Sequence, residues 1–204
     1  MNRSAIHASA RGPRAESPET ELVLAFVNTR ADGDGRQELF GDAGAFSAWL
    51  SAHDRAGGQN IVTAADAATA RELRDALVTM LLAHSGDQDS LGAPLEAAEQ
   101  HLRRAGSLYP LVSVVTADGA TLTSEQTGVA GVFARVLAAV TTFAQQGDWQ
   151  RLKACRNPPC HFGFFDRTRN GAARYCSPSC GSAVSMRNYR ERKRQQDAAA
   201  TDGN

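Results

Sequence analysis

Between residues 126 and 146, Val129, Val132, Phe133, Val136, Leu137, Val140 and Phe143 recur at i, +3, +4, +7, +8, +11 and +14. That spacing puts one wide apolar face on a helix and predicts the central core helix of the chain. Gly147 stops it. A second helix is predicted from Thr63-Ala-Ala-Asp66, a capping box with the shorter Asp in place of Glu. Its stripe is Ala70, Leu73, Leu77 and Leu81, and Gly86 and Asp87 end it. Asp42 can cap a helix that carries Phe46, Trp49 and Leu50 inward. In the apolar run Leu22 to Val27, periodicity does not separate a strand from a buried helix, and we read it as helix. Pro94 suits the first turn of a helix running to about Arg104. Leu108 to Thr116 is rich in valine and reads as a strand. Asp118-Gly119 turns it, and Ala120 to Thr123 returns as a second strand. No internal repeat is visible. The pattern predicts a mainly α body with a small β-hairpin.

Length and charge divide the chain further. The 204 residues, 42% of them hydrophobic, can hold one ordinary domain and a small one. The formal net charge is zero, but residues 1–150 carry 11 Lys/Arg against 18 Asp/Glu, whereas residues 151–194 carry 11 against 2. An acidic body of about −7 and a basic end of about +9 point to a polyanion at that end, with nucleic acid the default. Residues 1–19 and 195–204 have almost nothing to bury and are expected to be disordered, and residues 31–36 form a loop. No apolar run approaches the ~18–20 residues of a membrane span, and the first 19 residues lack the apolar stretch of a secretory signal. A reducing cytoplasm is the expected compartment.

The four cysteines all fall within 26 residues, as Cys155-x4-Cys160-x15-Cys176-x3-Cys180. Two close pairs joined by a short loop are what a tetrahedral zinc ion needs, each pair supplying two thiolates from one tight turn. An iron–sulfur centre and free or redox-active thiols are the alternatives. One structural Zn²⁺ would replace the apolar core that a module of some 40 residues cannot build. Pro158 and Pro159 restrict the first turn, and Ser177-Pro178-Ser179 shapes the second. Cys176 and Cys180 fall at a predicted helix start, where the dipole offsets the negative metal centre. His161 is an alternative ligand, with an exposed or capping role as its rival reading. His7, His53, His84 and His101 lack partner spacing.

The residues Asp148-Trp149-x-Arg151-Leu152-Lys153-Ala154-Cys155, then Cys160, Phe165-Asp166, Thr168-Arg169-Asn170, Arg174-Tyr175-Cys176 and Cys180-Gly181 resemble the CGNR-type zinc finger. The body, including Phe26-Val27-Asn28-Thr29, resembles the ABATE domain that precedes this finger in bacterial proteins. The resemblance implies a helical sensor or dimerisation domain over 20–147 and a finger over 148–194. It also implies a transcription regulator that binds DNA through the finger. At the signature the family continues Cys-Gly-Asn-Arg, whereas this chain has Cys180-Gly181-Ser182-Ala183. Where relatives use that pair on DNA, this chain is expected to bind more weakly or with altered preference. Asn28 and Thr29 match the body motif and are candidates for lining a small-molecule site; a helix-end cap is the competing reading.

Met186 to Arg194 follows the last cysteine. On a helix, Arg187, Arg190 and Arg194 share one face, and Arg192 and Lys193 extend the positive surface. Ala183, Met186 and Tyr189 can cover the metal module from the neighbouring face. Arg169, Asn170 and Arg174 can join the surface from the loop between the cysteine pairs. The guanidinium fork suits phosphate and guanine alike. A homodimer would let two such modules read two half-sites. No phosphate-binding loop, H-E-x-x-H helix or complete dinucleotide fingerprint is present, and no enzyme is expected. Asp32-Gly-Asp34-Gly hints at a calcium loop, but Gln37 and Ala43 occupy the positions that need Gly and Glu. Rival functions are a zinc-stabilised module for RNA or protein, and a thiol redox sensor whose thiolates are tuned by Lys153, Arg156 and Arg174.

Overall fold

A computed structural model of the chain describes residues 17–32, 35–53, 61–87 and 94–202. Most of the expected disordered start and part of the 31–36 loop lie outside these residues. Among the described residues, six α-helices and two small antiparallel hairpins make up the fold, which is mainly α, as its pattern predicts.

Helix α1 (Pro18–Val27) opens on Ser17, whose hydroxyl accepts from the Thr20 N–H at 3.2 Å, and Pro18 needs no partner for a missing donor. The run Leu22 to Val27 is therefore helix. Helix α2 (Ala43–His53) starts with Asp42 Oδ1 accepting from the Ala45 N–H at 2.8 Å. Helix α3 (Ala64–His84) has the capping box between Thr63 and Asp66. All four stripe residues, Ala70, Leu73, Leu77 and Leu81, are fully buried. Helix α4 (Leu95–Leu108) takes Pro94 as its cap rather than in its first turn, and it outruns Arg104 by a turn. It ends beside Pro110, which offers no backbone donor, so the first strand begins four residues later than valine content suggests. Strands β1 (Val112–Thr116) and β2 (Gly119–Thr123) pair antiparallel.

Helix α5 (Gly128–Gln146) ends at Gly147, whose φ of 77° is open to glycine at little cost. It is long and apolar enough by composition to cross a membrane, which corrects the expectation that no run approaches a span. Here it is a core helix, with Val132, Phe133, Val136, Leu137 and Phe143 buried. Phe46 stacks on Phe133 at 6.0 Å, and Phe26, Phe40 and Trp49 meet edge-on or tilted around them. Rings from α1, α2, α5 and the segment before α2 thus close one side of the body. Arg74 on α3 is buried under that segment, with its guanidinium over the Phe40 ring and 2.5 Å from Glu38.

The C-terminal module is built onto this body. A 3₁₀ turn (Trp149–Arg151) leads into β3 (Leu152–Ala154), which pairs antiparallel with β4 (Gly163–Phe165). Strands of three residues are too short to show a period of two, so this hairpin is invisible in the hydrophobic pattern. Leu152, Ala154 and Phe165 join the same apolar cluster as α1, α3 and α5. Helix α6 (Pro178–Asp202) then leaves the module. It continues past Arg194, where composition predicts a disordered tail.

Leu152 is fully buried in the shared core. We predict that Leu152→Ala costs about 2–5 kcal/mol and lowers the midpoint of the whole helical unfolding transition in urea. A separate early transition confined to the module would contradict the shared core.

Candidate metal centre

Cys155 directly follows strand β3, and its N–H donates to the Phe162 carbonyl at 2.9 Å. The first turn, which contains a cis Pro158-Pro159 peptide, returns to Cys160. Cys176 precedes α6 and Cys180 lies in its first turn, where its N–H donates to Ser177 Oγ at 3.3 Å. The four Sγ atoms all lie within 4.8 Å of one another. Cys160 and Cys176 are 3.8 Å apart, and Cys176 and Cys180 are 3.7 Å apart. Four thiolates at about 2.3 Å from one tetrahedral ion stand roughly 3.8 Å from each other. Donor set and spacing fit one structural Zn²⁺, and four thiolates close its coordination shell. The start of α6 turns its positive end toward this negative centre.

Neighbouring side chains support the thiols. Asn157 Nδ2 donates to Cys180 Sγ at 3.4 Å, and Arg187 on α6 donates to Asn157 Oδ1 at 3.0 Å. Gly181 lies against the Tyr175 ring; a Cβ there would stand 3.3 Å from it. Without metal, burial pushes the Cys160 thiol up to about 11, and burial with the nearby Cys155 pushes Cys176 higher still. Burial also acts upward on Cys180, but hydrogen bonds from Asn157 and Ser177 outweigh it and hold that thiol at about 7. The causes of the low Cys180 value are thus hydrogen bonds, not the expected cations Lys153 and Arg156. Lys153 is committed to Asp166, and Arg156 faces Asp87 at 3.7 Å. His161 is buried, not exposed, has φ of 42° and stands outside the thiol cluster.

Lys153 is the residue whose role the spacing does not reveal. It lies between Leu152 and Ala154 on β3, all three buried. Its ammonium donates to Asp166 Oδ2 at 2.8 Å, to the Ala173 carbonyl at 3.1 Å and to the Gly171 carbonyl. All three of its protons are therefore used. Asp166 also accepts from the Thr168 N–H and hydroxyl and from the Ala173 N–H. Burial pushes its carboxyl up, but Lys153 and these donors prevail and hold it at about 2. The pair shapes the loop that carries Arg169 and Asn170 back to Cys176. A lone Lys inside an apolar triplet, and an Asp directly after Phe164-Phe165, are the sequence signs of it.

Two family models match the chain. One, described as "Putative stress-induced transcription regulator" (ABATE), covers residues 20–145, and one described as "CGNR zinc finger" covers residues 151–193. The chain belongs to the ABATE family. Its C-terminal module is a CGNR finger, in the order that the residue patterns imply. No curated protein matches the chain.

In this ABATE protein the finger is pinned to the body by polar contacts as well as by the core. Asn28 caps α1, and its side chain makes a two-way pair with Gly163 on β4: Nδ2 donates to the carbonyl at 3.0 Å and Oδ1 accepts from the N–H at 2.6 Å. A Cβ on residue 163 would stand 2.6 Å from Val27 Cγ2, so only glycine allows this approach. The Thr29 hydroxyl donates to the Phe26 carbonyl at 2.8 Å and accepts from Arg74. The two candidate ligand-site residues thus have partners within the chain. The His84 Nδ1–H donates to the Leu152 carbonyl at 2.8 Å, Ser85 donates to the Ala154 carbonyl at 2.7 Å, and Arg36 donates to the Cys160 carbonyl. Arg169, Asn170, Arg174, Arg187, Arg190, Arg192, Lys193 and Arg194 are all exposed. Met186 and Tyr189, at 52% and 57%, are exposed too, which corrects the expectation that they cover the finger. Arg187, not Tyr189, makes the contact with the first turn, so Tyr189 faces away from it.

Lys153→Met leaves Asp166 buried without its cation and is expected to cost about 3–5 kcal/mol. Lys153→Met with Asp166→Leu should cost less in the same urea titration. Zinc binding is predicted to release at least the Cys160 and Cys176 protons at neutral pH, since both thiols stay protonated without metal. Affinity should therefore rise with pH, and calorimetry in buffers of different ionisation enthalpy counts the protons.

Proposed function

We propose that this protein is a cytoplasmic transcription regulator that binds DNA through its CGNR finger and α6. The observation that carries the reading is α6 itself. Every residue from Ser185 to Ala198 is exposed, and the helix presents Arg187, Arg190, Arg192, Lys193 and Arg194. At about 1.5 Å per residue its 25 residues extend some 38 Å. A basic helix of this length, exposed from Ser185 to Ala198 and anchored at its start by a metal centre, suits insertion along a duplex groove. The acidic body keeps the polyanion at the other end of the molecule. Arg169, Asn170 and Arg174 reach the same partner from the finger. The family description of the body as a transcription regulator supports the assignment.

Ser182 and Ala183 replace the signature Asn-Arg pair and are exposed on the first turns of α6. They carry no charge, so backbone contact from the later arginines supplies most of the affinity. We assign the chain no catalytic role: a zinc ion would occupy all four thiolates, and the basic residues form an open surface.

About five phosphate contacts predict a fall in affinity of roughly 10²–10³-fold between 50 and 200 mM salt. The test is selection of genomic DNA fragments on the zinc-loaded full chain near physiological salt. The control is the full-length triple variant Arg190→Ala, Lys193→Ala, Arg194→Ala, because cutting the chain before β3 would open the shared core. Enrichment of one motif that is lost in the variant supports the assignment. Salt-insensitive binding, or enrichment unchanged in the variant, would overturn it.

A further inference from the structure

The body is acidic, yet residues 105–124 contain one charged residue, Asp118, which sits in the turn of the hairpin. Six of the ten residues in β1 and β2 are β-branched: Val112, Val114, Val115, Thr116, Thr121 and Thr123. That is the composition of strands inside a packed sheet. Here every strand residue is exposed except Leu122, which is half-buried. Val115 is 75% exposed, and Val112 and Val114 are about two-fifths exposed on the opposite face. A two-stranded hairpin with no buried face is marginal by itself. The sheet order is β1-β2, so the outer edge of β1 has no strand beside it among the described residues. Val112–Thr116 also lacks the charge, proline or bulge that ordinarily protects such an edge.

We propose that β1 pairs antiparallel with β1 of a second copy of this chain about a two-fold axis, giving a four-stranded sheet across the dimer. The charge pattern selects a copy rather than another protein. In an isologous antiparallel pair each residue faces the same segment, so a charge near the centre meets its own like. Val112–Thr116 carries none. Two bodies of net charge about −7 repel each other elsewhere, so the uncharged stretch is where two copies can meet. A basic partner would find nothing to pair with on it. Pairing centred on Val114 sets Val114 against its mate and Val112 against Thr116 on one face, and Val115 against Ser113 on the other. The exposed valines of both faces then gain cross-strand neighbours. The inference is independent of the DNA reading, although a dimer also supplies two basic helices for two half-sites.

The test is sedimentation of the zinc-loaded full chain over a range of concentrations, with Val114→Lys and Val114→Glu alone and mixed. The wild-type chain should be a dimer. Each variant alone should dissociate on the order of 100-fold more readily, because like charges then meet at the axis. The two variants mixed should reassociate as a heterodimer. Zinc content and circular dichroism should match the wild type; if either variant misfolds, Ser113→Lys and Ser113→Glu, at an already exposed position, take its place. A wild-type monomer at every concentration, a dimer indifferent to the charges, or variants that stay apart when mixed would each overturn the proposal.

Discussion

Strand β3 belongs to two structures at once, and the arrangement of the chain depends on it. Leu152 and Ala154 complete the apolar core under α3, and the next residue, Cys155, is a metal ligand. Three residues are enough because other groups hold their backbone: His84 and Ser85, at the end of α3, take the carbonyls of Leu152 and Ala154. A finger of this size cannot bury enough apolar surface to stand alone, and metal is the usual remedy. Here the metal centre is only part of the remedy. The body lends its core to one face of the hairpin, and the ion organises the turns beyond it.

The charged groups follow the same division. Lys153 and Asp166 are almost wholly buried, and they hold because every proton and nearly every lone pair between them is matched by a backbone or hydroxyl partner. Arg74 is buried in the body under comparable terms, between Glu38, Asp75 and an aromatic face. These charges fix local shape. The arginines of α6 are different: they are exposed, and most of them lie beyond the contacts that Arg187 makes with the first metal turn. Charge used for shape is buried next to the metal, and charge left for a partner extends away from it.

Much of this was legible in the residues alone, for identifiable reasons. Helices α3 and α5 are long enough for periodicity to be unambiguous, and α3 also carries a complete capping box. The ligands were legible because thiolate spacing is dictated by the geometry of one ion. What could not be read were contacts made at long range. Asn28 and Gly163 are 135 positions apart, and nothing local marks an amide side chain that will pair with a strand. The direction in which α6 departs decides whether Tyr189 or Arg187 meets the finger, and helical spacing alone cannot choose between them. The tail after Arg194 reads as disordered from its polarity, yet as the continuation of a started helix it needs no new nucleation.

The close approach at Gly163 bears on how such proteins can be inherited. Modular architectures are often treated as beads that recombination can exchange at their linkers. In this chain the seam is a fitted joint: residue 163 must lack a side chain because Val27 occupies that space, and residue 28 must be an amide because a strand edge needs both its donor and its acceptor. A finger transplanted onto a foreign body would bring its ligands intact and lose its seat. Body and finger are therefore expected to descend as one unit, with changes at positions 27, 28 and 163 constrained to occur together.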